Sequence, residues 1–143
     1  MKNKNALITG SSAGIGYATA LQLAHEGAEV IINGRTIERV EKAVAQIKCE
    51  TGNENVRGII ADFSSAESVK YLIGELPQID ILINNIAIFE PKAFADITDE
   101  DWLRFYEIKS HLQEFMLPSN GGTFAWLITL NFPETYTYLV TLF

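Results

Sequence analysis

The sequence contains a single cysteine, Cys49, which excludes an internal disulfide and a thiolate metal cluster. Two histidines, His25 and His111, cannot complete a structural zinc site beside it, and no metal site is expected. No apolar run approaches the roughly 20 residues of a membrane-spanning helix. The short run in MKNKNALITG is also too brief for a secretory signal. A soluble, cytoplasmic chain without a membrane partner is expected. Basic residues are scarce as well, 11 against 18 acidic ones, for a formal charge of -7. That balance argues against a nucleic-acid partner. From His111 to Phe143 there is no Lys or Arg at all, while seven of the 15 aromatic residues lie there.

What is present in the first stretch alternates between two periods. NALITG is a short apolar run ended by glycine, EVIIN (29–33) reads as a buried strand, and Val56–Ile60 and Ile79–Ile83 read as a third and a fourth strand. Between them lie helical patterns. One starts at Gly14, with Ile15, Ala18 and Leu21 spaced three apart and Gly27 as its stop. Thr36 caps a second helix carrying Val40, Ala43, Val44 and Ile47 at helical spacing. Ser64 and Glu67 fit a capping box before Val69, Leu72 and Ile73. Thr98 and Asp101 form a similar box before a helix with Trp102, Phe105 and Tyr106 on one broad face. Strands separated by helices of this length predict βαβ units: an α/β, doubly wound, mostly parallel sheet with helices on both faces. GTFAWLITL and TYTYLVTLF read as fifth and sixth strands with a turn at Pro133.

The strongest chemical signal is TGSSAGIG (9–16), set between the first strand and the first helix. Gly10 permits a sharp turn, Gly14 a close backbone approach, and Gly16 tight packing of the helix. Exposed amides at that helix N-terminus can receive a pyrophosphate. A dinucleotide site for NAD usually adds an Asp or Glu about 20 residues further on. Here that region reads Asn33, Gly34, Arg35, Thr36. It offers no carboxylate, and Arg35 supplies a planar cation for a ribose 2′-phosphate, so NADP(H) is favoured over NAD(H). An ordinary exposed arginine is the competing explanation. Asp62, after the third strand, either accepts from an adenine amino group or caps the following turn. Asn84 and Asn85, ending the fourth strand, either tie loop backbone together or face the cofactor ribose.

Taken in order, TGSSAGIG (9–16), INGRT (32–36), AD (61–62), INN (83–85) and IFEPKAFADITDEDW (88–102) resemble the short-chain dehydrogenase/reductase family. The resemblance implies a Rossmann-like fold that binds NAD(P)(H) and interconverts carbonyls and alcohols. It places Gly10, Ser12, Gly14, Ile15 and Gly16 around the cofactor phosphates, Arg35 at the 2′-phosphate, Asp62 at the adenine edge, and Asn84 at the cofactor-side loop. Residues 1–110 would then be the dinucleotide-binding portion, and 111–143 a divergent, aromatic-rich segment of the same domain.

The departures from the family pattern are equally specific. Where the family reads N-N-A-G, this chain has Asn84, Asn85, Ile86 and Ala87. Alanine at the last position adds a Cβ close to the expected nicotinamide ribose. Lys109 stands where a helix asparagine is expected. The tail lacks the Tyr-x-x-x-Lys motif, and no catalytic residue is assigned. Tyr106 and Lys109 are three apart in YEIK, a spacing better explained by core packing and solvent exposure. Tyr136 and Tyr138 have no lysine after them, and Thr129 has no base within reach. The sequence thus predicts an oxidoreductase fragment, cut short of its catalytic motif, that binds nucleotide and turns over poorly or not at all. The competing readings are a nucleotide-sensing or protein-interaction domain, and a flavodoxin-like FMN binder. Failure of the tail to complete the sheet predicts self-association through residues 111–143.

Overall fold

The computed structural model describes residues 1–86 and 96–103 together with the backbone of 123–132 and 135–142. Its elements run β1 (Asn5–Ile8), α1 (Gly14–His25), β2 (Glu29–Gly34), α2 (Ile37–Thr51), β3 (Val56–Ile60), α3 (Ala66–Glu75), β4 (Ile81–Asn84), β5 (Thr123–Phe132) and β6 (Thr135–Leu142). They form one six-stranded sheet of order β3-β2-β1-β4-β5-β6. The strands from β1 to β5 are parallel to their neighbours. β6 returns antiparallel to β5, with Phe132 opposite Thr135. The turn expected at Pro133 lies outside the described residues.

The inner strands are apolar on both sides because both faces are covered. Ala6 and Ile8 of β1 and Val30 and Ile32 of β2 pack with Ala20 and Ala24 of α1 and with Val40, Ala43 and Ile47 of α2. The alternate residues Leu7, Ile31, Ile59 and Leu82 face the other way, onto Val69 and Leu72 of α3. Side chains alternate along a strand, so each strand serves two cores at once. The order of strand addition reverses at β1, since β2 and β3 are added on one side of it and β4 on the other. The resulting crevice opens at the carboxyl ends of these strands, where such sheets receive ligands.

Several local expectations are corrected. In α1 the fully buried stripe is Gly16, Ala20 and Ala24; of the residues picked by spacing, Leu21 packs half-buried against this core, while Ala18 and Ile15 are exposed, Ile15 by 44%. Small residues at i, i+4 and i+8 let the helix lie close to the sheet, and a count of large apolar residues misses them. Ser65, not Ser64, caps α3: its hydroxyl accepts from Ser68 N at 3.3 Å. Ile73 is exposed, so only Val69 and Leu72 anchor that helix. Thr36 does precede α2, yet its side chain makes no cap bond. Thr98 and Asp101 form the expected reciprocal box, with Thr98 N donating to Asp101 Oδ2 at 3.0 Å and Asp101 N donating to Thr98 Oγ1 at 3.2 Å. Trp102 beyond it is 60% exposed. Phe105, Tyr106 and Lys109 lie outside the described residues.

Candidate functional site: the glycine loop and the strand ends beside it

The loop after β1 turns over the carboxyl end of the sheet. Gly10 and Gly14 have φ of +61° and +64°, a region in which other residues are strained. Nothing lies within 4 Å of the place where a Gly14 side chain would begin, so the backbone there is open to a ligand. Gly16 is the opposite case: a Cβ would stand 2.8 Å from Gly10 O and 3.0 Å from Ser11 Cα, besides meeting Asn85. Ala13 at the N-terminus of α1 contributes no side-chain cap, and the first turn has no acidic residue. The positive end of the helix dipole is therefore met by no carboxylate of the helix's own first turn.

The loop is held from beneath by polar residues. Thr9 Oγ1 accepts from Asn85 N at 3.0 Å, and Asn85 Nδ2 donates to Thr9 O and Gly10 O, both at 3.1 Å. Asn85 thus ties loop backbone together, one of its two expected uses. Its neighbour Asn84 is 5% exposed, and its Oδ1 is buried without a hydrogen-bond partner among the described residues. Such an acceptor is costly unless a ligand or water meets it. Ile86 reaches over the turn, its Cγ1 3.1 Å from the position a Gly10 Cβ would take. Ala87 lies outside the described residues.

Three residues line the other end of the crevice. Ser12 packs on Gly34, whose absent Cβ would lie 3.1 Å from Ser12 Oγ and 2.9 Å from Val40 Cγ2. Arg35 follows in an exposed position. Ala61 N donates to Gly34 O at 3.0 Å, which brings the ends of β2 and β3 together. Asp62, next in the chain, is partly exposed, and its Oδ1 accepts from Ser64 N at 3.0 Å. Its carboxyl is held below the usual range by that amide first and by a side-chain bond with Ser64, with a further contribution from the charge of Arg35; partial burial opposes them. The carboxylate therefore does cap its turn while standing within electrostatic reach of Arg35.

Asp80 is lowered likewise, by hydrogen bonds from Lys4 Nζ at 2.7 Å and Asn5 N at 2.9 Å. A depressed folded pKa contributes stability above the unfolded value, near 3.9, that is lost as pH falls through the folded value. Unfolding midpoints should accordingly be flat near neutrality and fall below about pH 4. In Asp62→Asn and Asp80→Asn variants that acid-side decline should be shallower, as followed by thermal melts across pH.

Sequence reasoning did not single out Ser11 or Asn33, both fully buried. Ser11 Oγ donates to Ile8 O at 2.6 Å and accepts from Asn33 N at 3.0 Å. Asn33 Oδ1 accepts from Gly10 N at 3.1 Å. A polar residue closing the apolar run EVIIN was the available signal.

With this geometry the chain belongs to the short-chain dehydrogenase family: residues 4–111 match that family. It is 42% identical over 108 residues to the uncharacterized oxidoreductase YvaG of Bacillus subtilis, a match covering 76% of this chain and 41% of that protein. With YvrD, another uncharacterized oxidoreductase of Bacillus subtilis, it shares 39% identity over 133 residues, 85% of this chain and 49% of the relative. The chain thus spans less than half the length of these two relatives. Among solved structures it is similar to L-sorbose reductase from Gluconobacter frateurii complexed with NADPH and L-sorbose. That match has a TM-score of 0.70 at 29% identity, covering 79% of this chain and 46% of that one. It is also similar to the F189W actinorhodin polyketide ketoreductase with NADPH, at TM-score 0.70 and 26% identity, over 80% of this chain and 47% of that one. The sheet and its helices are thus part of the NAD(P)-binding fold of this family. No helix among the described residues is long and apolar enough to cross a membrane.

Proposed function

We propose that this chain is a nicotinamide-dinucleotide-binding unit that prefers NADP(H), derived from carbonyl reductases and weak or inactive in turnover over these 143 residues. The observation that carries the reading is the pairing of an uncapped helix N-terminus behind an open Gly14 with Arg35 beside Asp62 at the far strand ends. The turn from Gly10 through Ser12 and Gly14 to Ile15 and Gly16 surrounds the pyrophosphate, whose oxygens meet the amides at the start of α1, the Gly10 amide being held by Asn33. Arg35 takes the 2′-phosphate as a planar fork, Asp62 accepts from the adenine amino group, and the unmatched Oδ1 of Asn84 accepts from a ribose hydroxyl. A carboxylate at Gly34 would collide with Ser12 and Val40, which disfavours the acidic residue an NAD site uses. The two NADPH-bound reductases similar to this chain support the same preference. NADPH supplies the hydride when bound; the residues here bind and orient it.

Calorimetric titration with NADPH and NADH tests the reading, and equal affinities would remove the Arg35 argument. Turnover of simple aldehydes or ketones with NADPH should be absent or marginal, because no Tyr-x-x-x-Lys occurs in these residues. A phenol near pKa 10 needs a neighbouring cation to act at neutral pH. Robust turnover abolished by Tyr106→Phe would contradict this.

Self-association is the second expectation, supported by β6, an eight-residue strand at the edge of the described sheet with no charge and no proline. Light scattering should show oligomers of the full chain, an expectation built on pairing at the β6 edge. A monomeric, cooperatively melting full chain would contradict it.

A further inference from the structure

Asn33 is the penultimate residue of β2, where three strand ends meet, and its side chain is committed inside the protein. It is 1% exposed. Its Oδ1 accepts from Gly10 N at 3.1 Å, while Nδ2 donates to Ile59 O at 3.3 Å and Ala61 O at 3.4 Å. Its backbone is gripped from the β1 side too, with Ser11 N donating to Asn33 O at 2.8 Å. Strand pairing does not need this carboxamide. β1, β2 and β3 are already in register through Ile8↔Ile32 and Asn33↔Ile59. Burying an amide is unfavourable unless every donor and acceptor is met, and here each finds a partner. What the side chain adds is a direct cross-link between two segments that the backbone joins only through the end of β2. One is the first turn of the glycine loop, at Gly10. The other is the stretch from Ile59 to Ala61 that delivers Asp62.

We propose that Asn33 is a positioning residue for the dinucleotide, holding the pyrophosphate loop and the adenine-side strand end at one fixed separation. This rests on the nucleotide reading above. The two segments serve opposite halves of one ligand, so any slack left between them by the backbone bonds must be taken up on binding. A site in which they are cross-linked does not carry that cost. Gly10 N, turned inward to Asn33, is withdrawn from the ligand, which leaves the amides at the start of α1 to face the anion. Asn33 touches no ligand atom in this scheme; it acts through Gly10 and Ala61.

Asn33→Asp tests the role with little change of shape. The acceptor for Gly10 N remains, but the donor facing Ile59 O and Ala61 O becomes a second oxygen. A neutral carboxyl can still donate to one carbonyl, whereas an ionised one sets oxygen against oxygen, and burial moves its titration upward. The affinity for NADP+, chosen for its stability in acid, is measured for variant and wild type from pH 5 to 8. Taking the ratio cancels the titration of the ligand's own 2′-phosphate. The variant should bind within about threefold of wild type at the acid end and about tenfold or more weakly at the alkaline end. A ratio that stays at one in folded variant, checked by near-UV circular dichroism, overturns the proposal. So does a uniform loss without pH dependence, which marks a merely structural residue. If the variant does not fold, amide exchange in nucleotide-free wild type decides: Gly10 N–H should be protected relative to Gly14, and equally fast exchange overturns the proposal. Wild type that binds no NADP+ overturns the nucleotide reading along with the proposal, whereas binding with an unchanged ratio overturns only the part assigned to Asn33.

Discussion

Replacing Gly16 by alanine should lower the unfolding free energy by about 1–3 kcal/mol and abolish measurable nucleotide binding. Helix propensity alone points the other way, since alanine is favoured over glycine by about 1 kcal/mol in a helix interior. Sterics decide the sign here. The new methyl would stand 2.8 Å from Gly10 O and 3.0 Å from Ser11 Cα, both on backbone that cannot rotate away. It would also meet Asn85 Nδ2, the donor that secures Thr9 O and Gly10 O. Relief requires the loop to lift from the sheet, and the same movement displaces the amides offered to a pyrophosphate. Gly14→Ala provides the contrast, because its cost comes from the φ of +64° and not from crowding. Denaturant melts of the two variants should therefore differ in size, with Gly16→Ala the more damaging. A Gly16→Ala protein that melts at or above the wild-type midpoint and still binds NADPH would refute this account of the loop.

Arg35→Ala should reduce NADPH affinity by about 10- to 150-fold, the equivalent of the roughly 1.5–3 kcal/mol typical of hydrogen bonds to charged groups. NADH, which has no 2′-phosphate, should lose little. Arg35 is exposed, so the discrimination should shrink as salt is added, in the manner of a screened ion pair. Asp62 adds a second, checkable consequence. Removing the Arg35 charge takes away one of the influences that lower the Asp62 carboxyl, although the Ser64 amide remains the largest. The acid-side fall in stability should consequently be slightly shallower in Arg35→Ala than in wild type. A variant with unchanged nucleotide preference would show that the guanidinium is an ordinary surface group.

Much of this architecture was legible before any coordinates. Continuous β-branched runs such as EVIIN can only be strands covered on both sides, and Val56–Ile60 was bounded to the residue. The glycine loop was legible because its position between strand and helix, more than its spelling, carries the meaning. Other features resisted for physical reasons. The buried face of α1 is built from Gly16, Ala20 and Ala24, which contribute closeness and little apolar area, so hydrophobic spacing pointed instead to exposed Ile15. Which serine caps α3 depends on where the chain leaves the Asp62 turn, a tertiary matter that moved the cap from Ser64 to Ser65. Asp62 offered two uses in sequence and fills one of them visibly, the bond to Ser64. Asn33 resists such a reading because a neutral polar residue at the end of a strand carries no signal of a role of its own. Its importance lies in partners 23 to 28 residues away that only the folded chain assembles.

The most direct test is isothermal titration of the wild-type 143-residue chain with NADPH and, separately, with NADH at low ionic strength. Saturable binding at one site per chain, tighter for NADPH by about tenfold or more, is the predicted result. Equal affinities, or no binding heat from a protein shown to be folded, would contradict it.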